Sequence, residues 1–222
     1  MSAIIPELKL IYVSIPKCAC TSLKNCMFFL ENKFDFKTYK NNGNYVYIHK
    51  LYPSIYFEDF LKKIEKYDIS SFTKICLIRD PIQRFISAYT NRVMHHKELS
   101  IDKMKAYNLD PEMANPNFVK YVRKFKTYRK IQSIRHHTDS ICNYIGEDPS
   151  FYDKIFNINN IDEISIFLKK KYDIDYKIPK LQTGGGGSKS IEANKLKKNQ
   201  PGIYKKIEEI TAKDYNIYSK YL

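Results

Sequence analysis

The sequence predicts an α/β fold, with a central, mainly parallel sheet flanked by helices. Three observations carry that expectation. Short apolar runs alternate with segments of helical spacing along the chain. Two of those runs, residues 8–13 (Leu-Lys-Leu-Ile-Tyr-Val) and 74–78 (Lys-Ile-Cys-Leu-Ile), lead straight into turns that open amphipathic helices. At 222 residues the chain is long enough to bury a proper core, and one domain over residues 1–222 is the simplest division.

Taken in order, the pattern gives a strand over 8–14, a turn, and a helix over 21–31. A polar loop around Asn41-Asn42-Gly43-Asn44 precedes a short strand, Tyr45-Val46-Tyr47-Ile48, that ends at His49. Phe57, Phe60, Leu61 and Ile64 mark a helix by their spacing, and a strand over 73–78 follows. Residues 81–146 read as mostly helical, broken near Asp110-Pro111 and Asn115-Pro116. After a strand over 154–158, Ile161, Ile164 and Leu168 mark a helix with Asp162 and Glu163 early and Lys169, Lys170 and Lys171 late, as the helix dipole favours. The last helix begins near Pro201, with Ile203, Ile207 and Ile210 on one face. No internal repeat is visible.

The chemistry gathers at the two strand-to-helix turns. In the first, Ile15-Pro16-Lys17-Cys18-Ala19-Cys20-Thr21-Ser22-Leu23-Lys24, backbone N–H groups, a positive helix end, Lys17 and two hydroxyls converge on one spot suited to phosphate or sulfate. It is not a nucleoside-triphosphatase loop, because G-x-x-x-x-G-K-[ST] is absent and the lysine precedes the turn. In the second, Arg79 stands at the strand's carboxyl end, Asp80 suits an N-cap and Pro81 a first helical position. Ser87 lies about two turns further along that helix. Two anion sites at two strand ends of one sheet suggest a ligand with phosphate at both ends.

Pro16-Lys17-x-x-x-Thr21-Ser22 resembles the 5′-phosphosulfate loop of sulfotransferases that use 3′-phosphoadenosine 5′-phosphosulfate (PAPS), and Arg79-Asp80-Pro81-x-x-Arg84-x-x-Ser87-Ala88-Tyr89 resembles their 3′-phosphate motif. The Pro-Lys-x-Ala-Cys-Thr version of the loop is similar to that of carbohydrate sulfotransferases of the chondroitin and uronyl 2-O type, including bacterial members. Weaker resemblance touches His137, Tyr152 to Phe156, and Asp214-Tyr215-x-x-Tyr218.

The resemblance implies a P-loop-like three-layer fold and transfer of a sulfuryl group from PAPS to a carbohydrate hydroxyl. It sets Lys17 beside the bridging oxygen of the donor. Ala19, Cys20, Thr21 and Ser22 would hold the 5′-phosphate, while Arg79 and Ser87 would hold the 3′-phosphate, with Arg79 able to bind bidentately. Arg84 would brace the second motif. A late glycine-containing loop closes over the 3′-phosphate in such enzymes, which points to Gly185, Gly186 and Lys189 within Gly184-Gly185-Gly186-Gly187-Ser188-Lys189. A flexible surface linker is the competing reading of that run.

His49 is the leading general-base candidate, because imidazole titrates near neutral pH and the residue ends an expected strand. His137 is the second choice. With no acidic pair at metal-ligand spacing, the expected reaction needs no metal.

Composition narrows the setting. Five cysteines (Cys18, Cys20, Cys26, Cys76, Cys142) fit no disulfide framework, and Cys18-x-Cys20 lacks a second ligand pair for zinc. No run is long enough to cross a membrane and no secretory signal is visible, so a cytoplasmic protein is expected.

The formal charge of +14 includes a basic cluster, Lys120, Arg123, Lys124, Lys126, Arg129, Lys130 and Arg135, around an apolar stripe of Phe118, Val122 and Phe125. It reads either as steering for an acidic polysaccharide or cofactor, or as a solvated helix face. No nucleic-acid motif accompanies it. Two other functions stay open: a nucleoside-triphosphate phosphotransferase, disfavoured by the missing Walker loop, and a non-catalytic polyanion-binding module.

Overall fold

The fold comes from a computed structural model that describes residues 3–179, 181 and 189–222. In chain order it begins with β1 (Ala3–Ile5), β2 (Leu10–Val13), α1 (Cys20–Asn32), β3 (Tyr39–Asn41), β4 (Asn44–Val46), α2 (Ile48–Leu51), α3 (Phe57–Ile64) and β5 (Thr73–Ile78). Helices follow: α4 (Pro81–Ala88), a π-helical turn (Tyr89–His95), α5 (Ile101–Ala106), α6 (Phe118–Arg123), α7 (Phe125–Tyr128), α8 (Gln132–Thr138) and α9 (Cys142–Ile145). Then come β6 (Lys154–Asn157), α10 (Asp162–Tyr172), α11 (Lys189–Asn199) and α12 (Pro201–Tyr218). The described residues within 1–79, 141–183 and 217–222 form one compact unit, and those within 80–140 and 184–216 form another.

The first unit is α/β. Its four-stranded sheet has the order β1-β2-β5-β6, with β2, β5 and β6 parallel and β1 antiparallel at the edge. Because strand side chains alternate, each central strand feeds two cores. Leu10, Tyr12, Ile75 and Leu77 pack with Leu23, Met27 and Leu30 of α1 and Ile164 and Leu168 of α10. Ile11, Val13, Cys76 and Ile78 pack on the other face with Phe60 and Ile64 of α3 and Tyr144 and Ile145 of α9. Helices therefore cover both faces of the expected mainly parallel sheet.

The second unit is helical. Phe85 of α4 packs edge-on to Phe125 of α7 at 5.0 Å between centroids, and Tyr121 of α6 stacks on Tyr128 at 5.7 Å. Arg84 is buried and donates from Nη1 to the Asp139 carbonyl at 2.6 Å, so this arginine does brace the unit. Val122 and Phe125 of the apolar stripe are buried and Phe118 is half-buried, but α6 and α7 are separate helices that meet at Lys124.

Three local expectations change. Tyr45–Ile48 is not one strand: β4 stops at Val46 and pairs with β3, so that Asn42 and Gly43 form a hairpin turn with φ of 48° and 77°. Asn-Gly between two short runs is the strongest hairpin signal a sequence carries, and a loop reading missed it. His49 consequently sits inside the single-turn helix α2, not at a strand end. The helix α11 was also missed, because its face has no apolar period; only Lys189 and Ala193 are buried on it.

Candidate active site

The parallel pairing sets the site's frame. Val13 of β2 is opposite Cys76 of β5, so the turn that carries Lys17 and the residue Arg79 leave the same carboxyl edge of neighbouring strands. Adjacent strands lie about 4.8 Å apart. In open α/β sheets, ligands collect at that edge.

The first turn has an unusual backbone. Lys17 and Ala19 both adopt left-handed conformations, with φ of 69° and 46°. Such residues outside glycine are uncommon, and two of them one residue apart can turn neighbouring N–H groups toward a single point. Ala19 is the N-cap of α1 and supplies no side-chain cap, and the first turn of α1 has no acid. The helical ladder starts with Leu23 N donating to Ala19 O at 3.1 Å. An uncapped, 13-residue helix thus presents its positive end at the turn.

Behind that end lies a hydrogen-bonded chain. Thr21 Oγ1 is 2.9 Å from His49 Nε2, and His49 Nδ1 is 3.1 Å from Lys24 Nζ. Lys24 Nζ also donates to Ser54 Oγ at 3.0 Å, and Ser54 Oγ is 2.8 Å from Ser14 Oγ. Thr21 and Lys24 lie one turn apart on α1 and so share a face. Lys24 is 1 % exposed, and among the described residues it forms no ion pair. Burial pushes its pKa below the usual lysine value of 10.5, with the nearby Cys20 acting against the shift.

Other expected site residues fall as follows. Ser22 is 2 % exposed, and its hydroxyl accepts from Leu181 N at 3.1 Å. Cys20 is half-buried, whereas Cys18 is fully buried. Burial raises the Cys76 thiol and pushes Cys26 up to about 12, which makes both inert packing residues. Among the described residues, no group of three or more His, Cys, Asp or Glu could hold a metal ion.

In the helical unit, Asp80 caps α4 by accepting from Gln83 N at 2.9 Å, with Pro81 at the first helical position. Its other oxygen accepts from Tyr215 OH at 2.6 Å. Ser87 is half-buried in the last turn of α4. Lys189 is buried and donates to Glu192 Oε1 at 2.6 Å and to Thr90 Oγ1 at 3.3 Å, so a carboxylate already offsets its charge. Gly185 and Gly186 lie outside the described residues. His137 Nδ1 is 2.7 Å from the Ser133 carbonyl in its own helix.

The sequence therefore places Thr21 and His49 in the site, and the fold brings them into contact. It gave no role to Lys24, Ser54 or Ser14. One signal was present: Lys24 is a lysine one turn before Met27 and Phe28, at the edge of the apolar face of α1.

A protein-family model described as "Sulfotransferase family" matches residues 2–221. No curated protein and no solved structure gives a match.

Proposed function

We propose that this chain, which belongs to the sulfotransferase family, moves a sulfuryl group from PAPS to a carbohydrate hydroxyl by in-line transfer. The observation that carries this reading is the contact between His49 and Thr21, which sets a general base against the turn best suited to the donor's phosphosulfate. That turn fits an anion: two left-handed residues, an uncapped helix start and no acid in its first turn. The family match extends over both compact units, which supports treating residues 1–222 as one functional domain.

When bound, PAPS supplies an activated sulfuryl group and a phosphate leaving group. Lys17 neutralises charge on that leaving group. Thr21 donates its hydroxyl to the 5′-phosphate, and Ala19, Cys20 and Ser22 contribute backbone N–H groups, since the Ser22 side chain is engaged by Leu181. Arg79 holds the 3′-phosphate, a role that the resemblance also gives to Ser87. His49 takes the acceptor's proton. No metal is required for any of these roles.

The acceptor class rests on a largely aromatic cleft of about 750 Å³ lined by Phe28, Phe34, Asp35, Phe36, Lys37, Tyr39 and Leu51. Phe28 extends the α1 face of Thr21 and Lys24, at i+7 and i+4 from them, and Leu51 belongs to the helix of His49. Apolar walls with a few charged groups suit a sugar, whose ring faces are apolar and whose rim is polar. Exposed Arg123, Lys124, Lys126 and Lys130 would favour an acidic polysaccharide by steering.

Among the described residues no helix is long and apolar enough to cross a membrane. Five free cysteines support a reducing, cytoplasmic setting.

The test supplies PAPS with a glycan panel and follows adenosine 3′,5′-bisphosphate. Native protein is expected to release it in step with glycan sulfation. His49→Ala is expected to lower kcat by about 10²–10⁴-fold while bisphosphate affinity survives. Unchanged kcat would remove His49 from the reaction. A thermal shift with ATP and magnesium, but none with the bisphosphate, would favour a phosphotransferase instead.

A further inference from the structure

A buried lysine with no carboxylate partner among the described residues needs an explanation. Lys24 Nζ sits 3.1 Å from His49 Nδ1 and 3.0 Å from Ser54 Oγ, is 1 % exposed, and has no carboxylate partner among the described residues. An uncompensated ammonium in that position carries a large desolvation penalty, which a neutral amine avoids. The titratable groups set against it are His49 from α2 and the Cys20 thiol one turn back on α1.

The ammonium dictates one histidine tautomer, and only the amine permits the other. An ammonium has three donors and no acceptor, so it would force Nδ1 to accept and leave the ring proton on Nε2. Such a ring offers no lone pair at Nε2 and cannot be a base there. An amine has a lone pair and can accept from Nδ1–H, which frees Nε2 to accept, at rest from the Thr21 hydroxyl 2.9 Å away. When the 5′-phosphate draws that hydroxyl proton to itself, Nε2 is left to the acceptor.

We propose that Lys24 is a positioning residue: through Nζ it selects the Nδ1–H tautomer of His49 and receives that proton during transfer. The proposal rests on His49 being the base. The acceptor hydroxyl gives its proton to Nε2 as its oxygen bonds to sulfur. The sulfur–oxygen bond to the 5′-phosphate breaks, and its electron pair leaves with the phosphate oxygen. The Nδ1 proton crosses to Nζ, so the ring ends neutral in its other tautomer and the new positive charge lies on Lys24. After product departs, the same path returns that proton to solvent.

Histidine ¹⁵N NMR on the native chain tests this directly. The protein has five histidines, and the signal lost in His49→Ala identifies the relevant ring. The expected result at neutral pH is a protonated Nδ1 and an unprotonated Nε2. Finding the proton on Nε2 in native protein overturns the proposal, and this measurement needs no variant of Lys24. In folded Lys24→Met, the Nδ1–H preference should vanish and kcat should fall about 10²-fold or more, with bisphosphate affinity retained. A His49 tautomer unchanged in Lys24→Met also overturns it. Failure of the base assignment looks different: His49→Ala would keep full turnover whatever tautomer the ring adopts.

Discussion

The two strand-to-helix turns look alike in sequence and differ in what they leave open. The turn after β2 curls through left-handed Lys17 and Ala19 and starts α1 without a side-chain cap. The turn after β5 starts α4 with Asp80, whose carboxylate accepts from Gln83 N and from Tyr215 OH. Burial and the Asp80 carboxylate push the Tyr215 hydroxyl well above its ordinary pKa, so Tyr215 stays a donor. One helix starts without a side-chain cap, and the other is capped by a carboxylate of its own.

That contrast can be broken by substitution. The largest effect is expected from Lys17→Ala in the open turn, with turnover falling by about 10²–10³-fold in the bisphosphate-release assay. Near-normal turnover would detach the open turn from the chemistry. Asp80→Ala should instead act on stability, lowering the unfolding free energy in urea by about 1–2 kcal/mol through loss of the cap and of the Tyr215 partner. Its bisphosphate affinity should hold or tighten slightly; a clear weakening would place Asp80 in the binding site. The smallest effect is expected from Ala19→Gly, because glycine relieves a left-handed position but adds unfolded-state entropy. Stability should change by less than about 1 kcal/mol with turnover kept. A larger loss of stability would mean that the Ala19 methyl, and not its backbone, supports the turn.

The same contrast explains what could be read early. Thr73–Ile78 was visible because β-branched and apolar residues buried on both faces leave a continuous run. Asp80-Pro81 announced a helix start because a cap and a missing N–H are both local facts. The hairpin signal is equally local, in Asn42-Gly43, where both residues take positive φ. β1 and α11 had no comparable signal: three residues at a sheet edge and a polar helix lack a period to detect.

From sequence alone came the α/β class, the strand-to-helix turns, and the identities of Lys17, Thr21, His49 and Arg79 as residues with suitable chemistry. Those depend on short-range patterns that survive without knowledge of contacts. Only the tertiary structure joined Thr21, Lys24, His49, Ser54 and Ser14, whose closest long-range pair is separated by 25 positions. It did so by packing α1 against α2 over the sheet. Burial, which decides whether a lysine is a solvated surface charge or a desolvated group with a lowered pKa, is a property of that packing and is written in no single segment of the chain.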